Sequence, residues 1–337
     1  MGVSPGLSKS WTRLLFERSG LGTIWVGVAL LVVAVLAFAV QELALDRFAR
    51  SSDQVLDDVR LTVTHLTITV YLVTAYVFCE QSRDQGIAEL WPLLDPERAR
   101  PLLETRARDQ AFLTGFGIGG IAIAVVVALF FSPGAADYDP RTWEPENGWH
   151  RVCSLLMGYW TSRLSALIVL ESGRLSELAG TLRGIDLLEL EPLSAFGRRG
   201  LLNALLVIGS VAVYSLFLVD VGYLDFFIGL LIVTALVGGT ALWLPLRGAR
   251  ARIQQAKSEE LSWCRERLRT ARAQLAEGTV RPGDLQELVA WEGRIAGVHE
   301  WPVDASTFSR FALYLLIPLG SWAGGALVER LVDALLD

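Results

Sequence analysis

The sequence predicts an all-α protein, a polytopic transmembrane helical bundle of about seven spans with a cytoplasmic helical hairpin between the last two. Of the 337 residues, 52% are hydrophobic, and they come in long blocks. A helix needs roughly 18 to 20 apolar residues to cross the hydrocarbon core of a bilayer. The blocks lack the alternation of a β-barrel, so helices are the structures that satisfy their backbone groups in lipid. They occupy residues 23–40, 61–79, 111–131, 152–170, 201–219, 226–246 and 311–328.

Basic residues accumulate in alternate connecting segments, and such residues mark the cytoplasmic side of short loops. The pattern predicts a multi-pass protein of the plasma (inner) membrane, with the N-terminus in the cytoplasm and the C-terminus outside. Arginine greatly outnumbers lysine, a hint of a GC-rich bacterial genome. The predicted organisation is a cytoplasmic N-terminal segment (1–22), a six-helix transmembrane region (23–246), a cytoplasmic helical hairpin (247–307) and a C-terminal transmembrane helix and tail (308–337).

Two of the seven blocks leave alternatives open. Ala37 and Ala39 flank a phenylalanine in a small-x-small pattern, which is typical of a signal-peptide cleavage site. The block and its lead-in are long for a signal peptide, so we expect a retained first span. Pro318 interrupts the seventh block, and the alternative there is a tilted or re-entrant segment.

The hairpin prediction depends on the pattern of the long polar insertion 247–307. Its two arms are separated by the helix-breaking stretch EGTVRPGD, after which Asp284 and Glu287 form a capping-box-like helix start. The apolar seam either packs the arms together or also joins subunits, because one short hairpin buries little apolar area alone. On the first arm this seam recurs at spacings of three and four residues and comprises Leu261, Cys264, Leu268 and Leu275.

Span two carries a polar face along its whole depth. At 100° per residue, five polar side chains fall within an arc of about 60°. The pattern fits hydrogen bonding between helices, and it also fits a hydrated or ion-conducting face. A histidine on this face can titrate near neutral pH. The five residues are Thr62, His65, Thr69, Tyr76 and Glu80.

Span four contains a permanent positive charge, Arg163, within the stretch GYWTSRLSALIVL. Helical side chains point toward the helix N-terminus, which here is the outer end, so snorkelling to the nearer inner surface is awkward. We therefore expect Arg163 to face the bundle interior or an aqueous cavity. Its candidate partners are Glu80, Tyr76 and Glu171.

Small residues four apart predict close helix contacts in three spans. The stretch LTGFGIGG also contains a G-x-G-x-x-G pattern, but no strand precedes it and a membrane span follows, so a dinucleotide site is excluded. Its TGFG segment lacks the spacing and the outer position of a potassium-channel filter. The predicted packing positions are Gly115, Gly119, Gly158, Gly320 and Gly324.

Three function classes fit these features. The first is a homo-oligomeric ion channel with a cytoplasmic assembly region, the second a membrane scaffold or signalling subunit, and the third a small-solute transporter. The layout resembles that of insect chemoreceptor channels in topology alone, which favours the channel. No catalytic set lies within the spans, and the three cysteines lie far apart, so we expect no enzyme, cofactor, metal or disulfide framework. The expected partners are the lipid bilayer, further copies of the chain and an inorganic ion, but not nucleic acid.

Overall fold

The computed structural model describes residues 10–45, 52–104, 106–131, 145–219, 224–276 and 282–302, together with Ser309 and Leu313. Every secondary-structure element in these ranges is a helix and none is a strand, which confirms the all-α class. An isolated backbone bridge joins Leu94 to Leu182. The predicted seventh span, with Gly320 and Gly324, lies outside the described residues.

Nine α-helices and three short 3-10 segments follow one another in the described ranges. The 3-10 segments, Trp91–Leu93, Glu191–Leu193 and Ser215–Val219, extend neighbouring helices. The α-helices are α1 (Trp11–Arg18), α2 (Thr23–Ala44), α3 (Ser52–Leu90), α4 (Pro96–Glu104), α5 (Arg106–Phe131), α6 (Pro145–Ala179), α7 (Ser194–Tyr214), α8 (Leu224–Ala276) and α9 (Pro282–Ala296).

Six of the helical segments in the described part are long and apolar enough to cross a membrane, and they coincide with the first six predicted blocks. Large apolar side chains on α2, α5 and α8 remain exposed, among them Trp25, Ile123 and Leu236. Such side chains on a membrane protein face lipid. The helical segments that contain these spans are Thr23–Ala44, Val59–Leu93, Asp109–Val126, Trp149–Ala179, Glu191–Phe217 and Ile228–Leu275.

The middle of α3 lies at the centre of the bundle and packs against α2, α6 and α7. Its Ile68 and Leu72 are fully buried in the main apolar cluster with Leu167 of α6 and Val207 of α7. A second apolar cluster closes one end of the bundle, where Phe196 meets the ends of α3 and α6, the short helix α4 and the later part of α8. The burial of α3 places its polar residues among other helices of the same chain.

The predicted boundary between span six and the hairpin falls inside one continuous helix. Helix α8 runs through residue 246, with Pro245 inside it, and its later part forms the first arm. Helix α9 packs back on this arm, where Arg265 pairs with Glu292 at 3.2 Å. The arm therefore continues the sixth span without a break in the helix.

Candidate functional site

The five polar residues of the predicted face all lie on α3, and all are buried. None exposes more than 8% of its surface. Several of them contact α6; for example, Thr62 approaches His150 at 3.4 Å and the Tyr76 ring lies 5.3 Å from that of Trp160. The face thus points into the bundle. Both sequence interpretations, hydrogen bonding and ion conduction, are compatible with this placement.

A pair of histidines marks one end of the polar face, which we call the histidine end. The ring of His65 lies 5.2 Å from that of His150 and 4.8 Å from that of Phe217, both edge to face. The Nδ1 atom of His65 is 2.8 Å from the carbonyl oxygen of Leu61. That contact orients the ring, because Nδ1–H then donates to its own helix. Sequence spacing could not pair His65 with a residue on another span.

Packed apolar groups interrupt the polar face in its middle. Thr69 donates a 2.8 Å hydrogen bond to the carbonyl oxygen of His65, so its hydroxyl is satisfied within α3. Leu72 lies about 20° beside this arc of the helix and is fully buried, as is its neighbour Ile68. The face therefore divides into the histidine end and a second polar region that begins at Tyr76.

Arg163 lies in the interior of this second region, and its exposed fraction is 2%. Its guanidinium donates to Tyr159 at 2.5 Å, to Thr114 at 3.3 Å and to the side-chain oxygen of Gln110 at 3.0 Å. In the part of the chain that the structure describes, no carboxylate lies within ion-pair distance of it. The acceptors of this buried cation are neutral.

Three aromatic rings surround the same guanidinium. Its central carbon lies 5.0 Å from the ring centre of Tyr76, 5.6 Å from that of Tyr159 and 5.7 Å from that of Trp160. Ring faces attract cations, and the attraction strengthens where water is excluded. Of the three candidate partners, Tyr76 therefore contacts Arg163. Glu80 and Glu171 bind other groups.

Glu80 is covered by the N-terminal helix. Ser10 donates a 2.5 Å hydrogen bond to its carboxylate, and Tyr76 donates a longer one of 3.4 Å. Arg13 donates to the Glu80 carbonyl at 3.3 Å and to the Asp84 carboxylate at 2.6 Å. Burial alone would lower the pKa of Arg13, but hydrogen bonds to Glu17 and Asp84 outweigh it and raise that pKa. Arg13 is thus charged at any physiological pH.

A buried ionic cluster lies beside Glu80, and we call this the charged end of the bundle. The Glu171 carboxylate forms an ion pair with Arg83 at 3.3 Å and accepts a hydrogen bond from Arg199 at 3.5 Å. Glu171 and Arg199 are buried, and the Arg83 side chain is 11% exposed. Arg199 also donates to the Cys79 carbonyl at 3.0 Å. Such a cluster couples α3, α6 and α7, because removing one member leaves an uncompensated buried charge.

Sequence reasoning missed most of the charged end. Arg83 and Arg199 looked like loop residues that set orientation, yet both reach into the bundle. Asn203, one turn beyond Arg199, is fully buried beside Ser172, which is 3.4 Å away. The available signal was the spacing of the two polar residues at 199 and 203, which places them on one face of a mainly apolar helix. Asp109 and Arg174 form a further ion pair between α5 and α6.

The glycines of α5 divide into two groups. A Cβ atom added at Gly158 would lie 2.5 Å from the Gly120 carbonyl oxygen and 2.7 Å from the Ala124 Cβ, so α5 and α6 touch there. A Cβ added at Gly115 or Gly119 would meet nothing within 4 Å. Within the chain, the close contact therefore uses Gly120 and Gly158.

The predicted assembly seam packs inside the chain. Cys264 is fully buried, Leu261 belongs to an apolar cluster that includes Trp291 and Ile295 of α9, and Leu268 is half-buried. Leu275, at the far end, is exposed. Helix α9 thus occupies most of the surface that a second subunit would use.

Polar contacts reinforce the base of this arm. Glu300 accepts from Gln254 at 2.6 Å and lies 3.9 Å from Lys257 and 3.6 Å from Arg250. The hydrogen bond from Gln254, together with these two cations, lowers the pKa of the Glu300 carboxyl. The carboxylate is therefore ionised near neutral pH, where it stabilises the contact between α8 and the segment after α9.

Among the described residues, no group of three or more His, Cys, Asp or Glu side chains could hold a metal ion. An open cleft of about 530 Å³ lies between the α6–α7 connection and the arm. Its walls carry positive and negative side chains and an aromatic ring, from Arg183, Arg252, Glu259, Glu260 and Trp263.

Comparison with protein-family models, curated proteins and solved structures found no match for this chain.

Proposed function

We propose that this membrane protein is an ion channel, assembled from copies of the chain, that conducts small inorganic anions along the polar face inside each subunit. The observation that carries the proposal is Arg163, a buried cation whose described partners are neutral side chains and aromatic rings. An ionisable group within a span indicates a functional site by default. A fixed positive charge in that position favours anions over cations.

The magnitude of this preference follows from Coulomb's law. At an effective dielectric constant near 20, a unit charge about 6 Å from a passing ion contributes about 2–3 kcal/mol. The sign is attractive for an anion and repulsive for a cation, and every 1.4 kcal/mol corresponds to about a tenfold change. Arg163 alone would therefore suffice for strong charge selection.

Conduction along this route requires movement of packed side chains. Leu72 separates the histidine end from Arg163, and Ser10 and Arg13 cover Glu80 at the charged end. On this proposal, the structure is the closed conformation of the channel. Oligomer contacts would use a surface other than the seam, because α9 occupies most of it.

The test is anion flux from liposomes that contain the full-length protein. We expect wild type to release chloride faster than empty liposomes and to release potassium far more slowly. Arg163→Gln keeps hydrogen-bonding ability without the charge and should reduce chloride flux about tenfold or more. Arg198→Gln removes an exposed arginine and is the matched control, expected at wild-type flux. Absence of wild-type flux would refute the channel, and equal loss in both variants would refute the role of Arg163.

A second candidate is a membrane scaffold or signalling subunit. The cleft beside the arm favours it, since Trp263 is exposed there among charges of both signs. If the liposomes show no flux, this candidate predicts that Trp263→Ala abolishes recovery of a specific partner by the purified membrane protein. The channel predicts no such effect of Trp263→Ala on flux.

A further inference from the structure

Helix α1 has its polar side toward the protein and its apolar side outward. Arg13 and Phe16 are buried, whereas Trp11, Leu14 and Leu15 are exposed by 61%, 43% and 54%. Residues spaced by three and four share one helix face, so the three exposed side chains form one apolar surface. A helix at a protein–water boundary has the opposite arrangement.

Specific contacts fix this orientation. Ser10 caps the helix by accepting from the Arg13 backbone N–H at 3.2 Å, and its hydroxyl also bonds the buried Glu80. Arg13 bonds Asp84 one turn further along α3. Phe16 belongs to the main apolar cluster of the bundle. Rotation of α1 to bury its apolar face would break each of these contacts.

The position of α1 along the bundle is also fixed. A four-residue connection joins Arg18 to the first residue of α2, Thr23, which also begins the first spanning segment. Four residues reach at most about 14 Å. Gly20 has φ +68, a value that glycine adopts without strain, and it turns the chain between the helices. Helix α1 therefore lies at the level where the first span begins.

Apolar side chains of the connection and of the first turn of α2 are exposed like those of α1. Leu21, Ile24 and Trp25 are all more than half exposed. Because four residues separate α1 from α2, these side chains and the exposed face of α1 lie near the same end of the first span. Both helices thus present apolar surface at that level.

We propose that α1 is an interfacial helix, with Trp11, Leu14 and Leu15 inserted at the boundary between lipid headgroups and acyl chains. Interfacial helices bury their apolar face about 5–10 Å into this region, where tryptophan is enriched. The occupant of the surface is the bilayer itself, and lipid then screens the Arg13–Asp84 ion pair from water. The inference does not depend on ion conduction.

The test uses nitroxide spin labels on the full-length protein in lipid nanodiscs, at Trp11→Cys and, in a second variant, Leu15→Cys. Both side chains are exposed, so neither substitution removes a core contact. The native cysteines are buried, and unsubstituted protein sets the labelling background. Arg269→Cys on the arm is the water control and Ile232→Cys on α8 the lipid control, since both positions are exposed.

The readout is the ratio of collisions with oxygen, which concentrates in lipid, to collisions with a water-soluble nickel chelate. At both α1 positions we expect a ratio severalfold above that at Arg269→Cys and below that at Ile232→Cys. A ratio equal to the water control would overturn the proposal. Exclusion of both reagents, with magnetic coupling between labels, would also overturn it, because a second copy of the chain would then cover α1.

Discussion

The Arg163 guanidinium lies 5.0 Å from the centre of the Tyr76 ring, and this contact joins the charge on α6 to the polar face of α3. The same tyrosine donates to Glu80, which the N-terminal helix covers. Three distant parts of the chain thus meet through one aromatic side chain. The ring face and the hydroxyl of Tyr76 can be separated by substitution.

We expect Tyr76→Leu to lower the free energy of unfolding by about 2 kcal/mol, because it removes a buried ring and its attraction for Arg163. Tyr76→Phe keeps the ring face and loses the hydroxyl, whose hydrogen bond to Glu80 is long at 3.4 Å, so its effect should be smaller, about 1 kcal/mol. Denaturant unfolding in detergent measures both. Equal losses in the two variants would show that the hydroxyl, not the ring, matters.

Glu171 pairs with two arginines on other helices, and its neutralisation should be severe. Glu171→Gln removes the carboxylate that pairs with buried Arg199 and one of the two that pair with Arg83, and we expect a loss of about 3–5 kcal/mol. Glu89→Gln is the matched control, because its pair with Arg198 is exposed and should contribute less than about 1 kcal/mol. Thermal unfolding of both variants checks this, and similar melting temperatures would contradict it.

Periodicity predicted the polar face of α3 because residues on one helix keep a fixed angular relation. The partners of that face were not predictable in the same way. Ser10 lies 70 residues before Glu80 and caps a short helix ahead of the first span. Gln110 and Thr114 lie in the first half of α5, and nothing local in their sequence points toward Arg163. Contacts between helices depend on packing that a single-helix pattern does not contain.

The glycines illustrate the same limit. Gly115/Gly119 and Gly120/Ala124 have identical spacing, so the sequence predicts close packing at both pairs. Only the second pair lies against α6. Which face of α5 meets a neighbour depends on the rotation of the whole helix, and that rotation is fixed by contacts such as the Asp109–Arg174 pair.

Adjacent glycines of α5 should respond oppositely to substitution. We expect Gly120→Ala to destabilise the bundle by about 1–3 kcal/mol, because the added Cβ would overlap the Gly158 carbonyl and force the helices apart. Gly119→Ala adds its Cβ in open space and should be neutral or stabilise by about 0.5–1 kcal/mol through helix propensity. Unfolding curves in detergent check the signs. A loss at Gly119 would indicate that another chain covers this face.

The histidine end should affect anion flux through its packing. His65 contacts the rings of His150 and Phe217 at 5.2 and 4.8 Å, and it lies on the proposed route. We expect His65→Asn, which removes these ring contacts, to change chloride flux from liposomes severalfold. His299→Asn, on an exposed residue, should leave the flux unchanged. Equal flux in wild type and His65→Asn would remove the histidine pair from the mechanism.

The arm contains its own reporter, because Cys264 is fully buried in the seam between α8 and α9. Ile295→Asp places a charge in the apolar cluster that holds α9, and we expect α9 to detach and Cys264 to react with a maleimide many times faster than in wild type. Val289→Asp is the matched control on the exposed side of α9 and should leave the thiol protected.

Two measurements on the same samples check this prediction. Mass spectrometry of the labelled peptide identifies the thiol that has reacted, and size-exclusion chromatography reports the oligomeric size. If the seam joins only the two helices, the Ile295→Asp protein should expose Cys264 without changing its oligomeric size. A smaller particle with Cys264 still protected would instead place a second subunit at the seam.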